Sequence, residues 1–317
     1  MNDPRDSFLE GIDFEECRVI YTNSPIVLLC GGRVFIKENP DDPDELPKSL
    51  RDHINRQDPS FEIFRPEEIQ DWQVDGVYKN LMDFEKDLAA ISSLVVIVLE
   101  SAGSIAELGA FSQLEEMQEK LYIVRPSLTT DDVSFINLGL IRFLKQGFPE
   151  CVGVYPWDIE DLNSITSELV QDVIDAIGLK LSPSSTSVFK IDYGVSIVVA
   201  ILEIVFIFSA VKETELLKYL KKIGFEINLE KLLGLIFLLK KFHLLFEAEY
   251  GDAKFYLRTD HPYHKLRIVS KHPDKRKKKP LIDVLRIRVQ CINFYKETKD
   301  VNRSRVIQAN LTARTEE

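Results

Sequence analysis

Two hydrophobic periods take turns over the first 180 residues. Short unbroken apolar runs lie at Ile26 to Cys30, Phe61 to Phe64, Leu94 to Leu99, Leu121 to Val124 and Val152 to Tyr155. Between them come longer stretches with apolar positions every three to four residues: Leu46 to Arg56, Val77 to Ile91, Ser104 to Lys120 and Leu162 to Ile177. The unbroken runs fit strands buried on both faces, and the longer period fits amphipathic helices. Alternation of the two predicts a parallel sheet with helices on both faces and right-handed crossovers, an α/β domain over residues 1–180. The acidic insertion Glu38 to Glu45 is predicted to be a surface loop.

The segment Leu181-Ser182-Pro183-Ser184-Ser185-Thr186-Ser187 breaks this pattern and reads as a linker to a second domain over residues 188–317. That domain opens with the apolar run Val195 to Ala210, which is short for a membrane span and carries Glu203 at its middle. A core or subunit-interface helix is expected, with a partner for the Glu203 carboxylate. Next come a helix over Thr214 to Ile223, the turn Gly224-Phe225-Glu226-Ile227, and a second helix capped by Asn228 and running to about Lys241. His243 to Tyr250 and Ala253 to Arg258, around Gly251-Asp252, read as a hairpin. Helix, turn, helix and hairpin follow a winged-helix-like order. The second helix, however, is dominated by Leu229, Leu232, Leu233, Leu235, Ile236, Phe237, Leu238 and Leu239. Reading base edges takes polar side chains, so a docking module is expected rather than a sequence-specific DNA reader.

Composition adds little until charge is divided along the chain. With 317 residues, 45% of them hydrophobic and 29% charged, the chain is long enough for two folded domains. Cys17, Cys30, Cys151 and Cys291 have neither zinc-ligand nor disulfide-framework spacing, and the polar, acidic start has no signal-peptide pattern. A reducing cytoplasmic location with no membrane association is expected. Residues 1–180 hold 15 Lys and Arg against 35 Asp and Glu, a net of −20, whereas residues 181–317 hold 25 against 16, a net of +9. Such asymmetry points to an anionic partner for the second half. The run around Lys275, Arg276, Lys277, Lys278 and Lys279 reads either as a solvated loop or as a phosphate contact without sequence preference.

Candidate chemistry lies after the third strand, in Glu100-Ser101-Ala102-Gly103-Ser104-Ile105-Ala106-Glu107-Leu108-Gly109-Ala110-Phe111. Small residues open a helix there, which places Glu107 in its first turn at the carboxyl edge of the sheet, where ligands of open α/β folds bind. A carboxylate so placed can attack or stabilise a sugar carbon with oxocarbenium character. The same Ser104-x-x-Glu107 spacing also fits a capping box. Ser101, Gly103 and Ser104 lie at a helix start, where backbone amides favour an anion such as a pyrophosphate. Gly31 and Gly32, after Cys30, would let backbone approach a ribose. His53, His243, His261, His264 and His272 show no metal-ligand spacing, and neither metal nor cofactor is expected.

Four segments in order carry a family likeness: Val27-Leu28-Leu29-Cys30-Gly31-Gly32, Asp87-Leu88-Ala89-Ala90-Ile91, Glu107-Leu108-Gly109 and Ser134-Phe135-Ile136-Asn137-Leu138-Gly139. Together they resemble the nucleoside deoxyribosyltransferase-like superfamily over roughly Pro25 to Leu144. The likeness is closer to the effector proteins of type II retron antiphage systems that carry such a domain. It implies a Rossmann/flavodoxin-like parallel sheet with Glu107 as nucleophile, Asp87 facing the base or nicotinamide ring, and a small-residue turn at Cys30, Gly31 and Gly32. Asn137 resembles the asparagine that, in the transferases, reaches the sugar site of a neighbouring subunit, which implies a homodimer or larger assembly. The transferases place a second aspartate six residues before the nucleophile, where this chain has Ser101. That departure fits a relative with a changed substrate. The resemblance implies a toxic effector of abortive infection that hydrolyses the N-glycosidic bond of a nucleotide cofactor, NAD in particular. It also implies inhibition by a retron reverse transcriptase bearing its branched RNA–DNA product, the msDNA. Two other readings stay open: a nucleoside deoxyribosyltransferase or nucleotide N-glycosidase of metabolism, and a non-catalytic nucleotide-sensing regulator.

Overall fold

Ten strands are present in the computed structural model, which describes residues 2–20, 25–35, 45–57, 59–66, 69, 76–127, 134–181, 186–261, 263, 265–271 and 280–316. They are β1 (Arg18–Ile20), β2 (Ile26–Cys30), β3 (Glu62–Phe64), β4 (Leu94–Val98) and β5 (Leu121–Pro126), then β6 (Val152–Tyr155), β7 (Thr186–Val188), β8 (Leu245–Tyr250), β9 (Ala253–Arg258) and β10 (Lys265–Arg267). The chain divides into two compact units, residues 24–74 with 80–183, and residues 1–23 with 75–79 and 184–317.

In the first unit β3, β2, β4, β5 and β6 form one parallel sheet in that order. Every residue of β2 and β4 is buried, as expected of central strands between two helical layers. Alternate side chains of the strands pack into separate layers. Val27, Leu29, Val96, Val98 and Val124 join Leu50 and Ile54 of the helix Leu50–Asn55 and Val173 and Ile177 of the helix Ser167–Lys180. Trp157, fully buried, belongs to the same cluster. The helix Leu81–Ile91 packs on β2 and the helix Ala102–Ser112 on β4. Lys120 is buried and its Nζ donates to the carbonyls of Ser92 at 2.6 Å and Ala90 at 3.2 Å, closing the carboxyl end of the helix Leu81–Ile91.

Several expected boundaries move. The helix predicted over Ser104 to Lys120 is two helices, Ala102–Ser112 and Glu115–Gln118. Leu114 is extended between them, and the Gln118 side chain donates to the carbonyl of Ser112, satisfying a helix end in mid-prediction. The segment from Ser134 to Gly139, assigned to no element by the sequence, enters the π-helix Ile136–Ile141, continued by the helix Arg142–Gly147. The predicted helix over Leu162 to Ile177 begins as a short 3-10 turn and becomes α-helical at Ser167, where Thr166 caps it.

The second unit departs from the predicted domain limits. Its antiparallel sheet has the order β10-β1-β7, so β1, placed by the sequence in the α/β domain, pairs with strands on the far side of the linker. Described residues of 1–23 and 76–79 go with this unit because their partners do: Arg5 binds Glu215 at 2.8 Å, and Tyr78 lies against Gly234. The long apolar helix Gly194–Phe208 is a core helix, buried on nearly every side. Glu203 has the partner its burial demands, accepting from Arg258 at 3.1 Å and from the Leu266 N–H at 3.3 Å. Among the described residues no helix is long and apolar enough to cross a membrane.

The helix Glu213–Ile223 ends at Gly224, whose φ of 115° forms a left-handed cap, and Asn228 caps the helix Leu229–Lys241 through the Lys231 N–H. The β8–β9 hairpin follows. Leu232, Gly234, Leu235, Ile236, Leu238 and Leu239 are buried, so the exposed positions of the second helix are Leu229, Glu230, Leu233 and Lys240, half of them leucine, rather than a polar reading face. Two further helices, Val284–Glu297 and Val301–Glu316, close the chain.

Candidate functional site

The sheet order reverses between β2 and β4, since β3 lies to one side of β2 and the later strands to the other. A crevice forms at the carboxyl ends of the strands at such a switch point. Two short loops meet there, Gly31-Gly32 after β2 and Leu99-Glu100-Ser101 after β4.

Glu100 ties them together. Its Oε1 accepts from the N–H groups of Gly32 at 2.9 Å and Arg51 at 3.1 Å, and its Oε2 from Leu50 at 2.9 Å. Arg51 is buried beside it, with Nε donating to the Leu29 carbonyl and Nη1 to that of Gly32. Burial pushes the Glu100 carboxyl above its ordinary range, although the three backbone donors and Arg51 pull the other way. The close fit also explains the glycines. A β-carbon on Gly32 would lie 2.8 Å from Ser49 Cβ and 2.9 Å from Glu100 Oε1, and one on Gly31 would lie 3.0 Å from Arg51 Cδ. The Gly32 amide, expected to face a ribose, is given to an internal carboxylate instead.

Ser101 caps the helix Ala102–Ser112. Its Oγ accepts from the Ser104 N–H at 3.1 Å, and Ser104 Oγ accepts in return from the Ser101 N–H at 3.2 Å. The capping box is therefore Ser101 with Ser104, not Ser104 with Glu107. Ser101 Oγ also lies 3.1 Å from the Gly31 carbonyl, to which it donates, linking the two loops directly. Gly103 is exposed in the first turn.

Glu107 is in the second turn, not the first, because the helix begins two residues earlier than the sequence suggested. It plays no part in the cap. Its side chain is half-buried, with Oε2 enclosed by the protein. Asp87, on the helix Leu81–Ile91, is almost fully buried and so is not a helix-surface charge. Cys30 is buried at the end of β2, with its thiol inside the protein.

Asn137 sits on the π-helix, which packs against the helix carrying Glu107. Arg125, near the carboxyl end of β5, donates through Nη1 to the Asn137 side-chain oxygen. Thus the elements of Glu107 and Asn137 are neighbours, while Asp87 comes from the helix over β2. Sequence reasoning missed Glu100, Arg51 and Arg125. A signal existed for Glu100 and Arg125, each a charge at the end of an otherwise apolar strand, while Arg51 sat within an ordinary amphipathic pattern.

Lys275, Arg276, Lys277, Lys278 and Lys279 lie outside the described residues, as do His264 and His272. Among the described residues no group of three or more His, Cys, Asp or Glu side chains could hold a metal ion.

Comparison with known proteins places this geometry in context. Residues 47–247, more than half of the chain, match the family model described as STM3845 retron effector protein. Two Escherichia coli proteins share shorter segments. One, named "Retron Ec73 putative ribosyltransferase/DNA-binding protein", is 42% identical over 67 residues, 21% of each chain. The other, the protein of the same description from retron Ec86, is 35% identical over 86 residues, 27% of this chain and 28% of that one. The matched segments thus span between a fifth and under a third of these relatives' length.

Proposed function

The chain belongs to the STM3845 retron effector protein family, and from that membership we propose that its parallel-sheet unit is an N-glycosidase acting on a nucleotide cofactor, NAD above all. The observation that carries this reading is the placement of Glu107, half-enclosed on the helix that follows β4, at the switch point of a parallel sheet. The strand order is that of a flavodoxin-like doubly wound sheet, which agrees with the expected nucleoside deoxyribosyltransferase-like fold.

Breaking the bond between ribose and nicotinamide builds positive charge on the anomeric carbon. A carboxylate beside that carbon stabilises the charge or bonds to it, and water then takes the sugar. Glu107 has this role. Asp87 faces the departing base, and Asn137 meets sugar hydroxyls. Ser101, Gly103 and Ser104 bring the amino end of a helix toward the pyrophosphate. Cys30, Gly31 and Gly32 supply backbone at the rim, with Glu100 already holding one of their amides. The names of the relatives, ribosyltransferase among them, support glycosyl chemistry.

The second unit serves to dock. Its helix–turn–helix and hairpin support a winged-helix-like module that holds the effector on a retron reverse transcriptase carrying msDNA. Lys275 to Lys279 touch phosphate in that complex, and a homodimer or larger assembly completes the enzyme. Inhibited in the complex, the effector acts as a toxin on release. Incubating the purified protein with NAD and following nicotinamide by mass spectrometry tests the reaction. Glu107→Gln is expected to abolish release with an unchanged melting temperature; full release by that variant removes Glu107 from the mechanism.

A further inference from the structure

Arg125 sets a positive charge at the carboxyl edge of an otherwise apolar strand. Its neighbours along β5, Ile123, Val124 and Pro126, are buried, while Arg125 itself is half-buried. Successive side chains of a strand point to opposite faces. Val124 packs with the helices Leu50–Asn55 and Ser167–Lys180, so Arg125 projects to the other face of the sheet. The hydrogen bond from its Nη1 to Asn137 agrees with that direction, and the π-helix of Asn137 packs against the helix of Glu107. A guanidinium so placed normally has a carboxylate beside it. Among the described residues Arg125 makes that one side-chain hydrogen bond and no ion pair, and its Nε is enclosed by protein with no acceptor. Five donors belong to a guanidinium, so most are left over, and unsatisfied donors of this kind call for an explanation. Other donors at this edge are already engaged. The Ser101 and Ser104 amides are held by each other's hydroxyls, the Gly32 amide by Glu100, and Arg51 by the carbonyls of Leu29 and Gly32.

We propose that Arg125 sets the substrate class: its guanidinium takes a phosphate oxygen of the ligand, so the site accepts a nucleotide and discriminates against the nucleoside that lacks phosphate. This rests on the glycosidase reading above and deepens it. The planar fork of donors matches a phosphate, and the bond to Asn137 fixes how the fork is turned. Glu107 and a phosphate repel each other, and a guanidinium on the same face offsets that repulsion.

The test uses the full chain and three probes that share one nicotinamide–ribose bond: NAD with a pyrophosphate, nicotinamide mononucleotide with a single phosphate, and nicotinamide riboside with none. Release of nicotinamide gives kcat/KM for each. The parent is expected to prefer NAD over the riboside by about tenfold or more, as a hydrogen bond to a charged group implies. Arg125→Met is expected to lose about tenfold or more on NAD while staying within about twofold of the parent on the riboside. Arg125→Lys keeps the charge without the fork and is expected to fall between. A loss shared by NAD and the mononucleotide assigns the contact to the phosphate on the nicotinamide ribose; a loss on NAD alone assigns it to the second phosphate. An equal loss on all three probes makes Arg125 structural and overturns the inference, as does a parent that cleaves the riboside as fast as NAD. Should Arg125→Met fail to fold, Arg125→Lys decides, with an unchanged ratio between NAD and riboside as the refuting result. If the parent cleaves none of the probes, the glycosidase reading falls, and titration calorimetry with ADP-ribose then decides the role of Arg125. Binding to the parent and at least about tenfold weaker binding to Arg125→Met supports it; no binding, or equal affinity, overturns it.

Discussion

Replacing Glu100 with alanine strips three backbone donors of their acceptor at once. The N–H groups of Gly32, Leu50 and Arg51 all point at its carboxylate, at 2.9, 2.9 and 3.1 Å, and the Arg51 guanidinium lies buried nearby. Leaving a buried donor unsatisfied costs about 1–3 kcal/mol, and the Arg51 guanidinium, though not bonded to this carboxylate, loses its attraction as well. The three donors overlap, because Oε1 serves two of them, and about 4 kcal/mol is the expected loss. For a unit of this size that corresponds to a melting temperature lower by about 8–16 °C. Glu100→Gln keeps the shape and one acceptor but sets an amide N–H against a backbone N–H. It is expected to fall between the parent and Glu100→Ala, at about 2–3 kcal/mol. Urea unfolding followed by circular dichroism reads both. A Glu100→Ala protein within about 1 kcal/mol of the parent would show that neither the N–H groups nor Arg51 depend on this carboxylate, and the account of the Gly31-Gly32 turn would fail.

Two further outcomes follow from other buried charges. Lys120→Met removes the donors that close the helix Leu81–Ile91, and is expected to cost about 1–3 kcal/mol and to speed hydrogen exchange in the last turn of that helix; unchanged exchange there would refute the cap. Burial raises the pKa of Glu215, but hydrogen bonding and attraction from Arg303, with help from Arg5, pull it below its ordinary value of 4.5. Its contribution to stability is thus complete above that value and lost as pH falls through the lowered one, so Glu215→Gln should flatten the acid side of a melting-temperature profile; an unaltered profile contradicts the pairing.

The parallel sheet was legible because its central strands are buried on both faces, and nothing but unbroken apolar runs such as Leu94-Val95-Val96-Ile97-Val98 fits that environment. The helix after β4 was legible in kind but not in phase. Two serines three residues apart cap it, and the sequence offered a second serine–glutamate pair at the same spacing; only the backbone decides between them. That shift moved Glu107 by a turn. The role of Glu100 could not be read, since its partners are backbone amides that lie 49 to 68 residues away in sequence. The domain limits failed for a related reason. β1 is a three-residue strand with one buried side chain, too short to give a period, and its neighbours are residues 186–188 and 265–267. Val284–Glu297 and Val301–Glu316 mix buried positions with exposed Leu285, Val289 and Val301, which blurs the apolar stripe a helix normally shows.

That short strand changes how the protein comes into being and how it can be dismantled. Ile20 stands opposite Thr186, so the backbone departs from and rejoins one ladder at adjacent rungs, with the whole five-stranded sheet strung between as a closed loop. A protease that nicks the loop once liberates nothing, because both cut ends remain anchored to the same ladder. During synthesis β1 emerges ahead of every strand of the parallel sheet, yet it has nothing to pair with until β7 and β10 have followed.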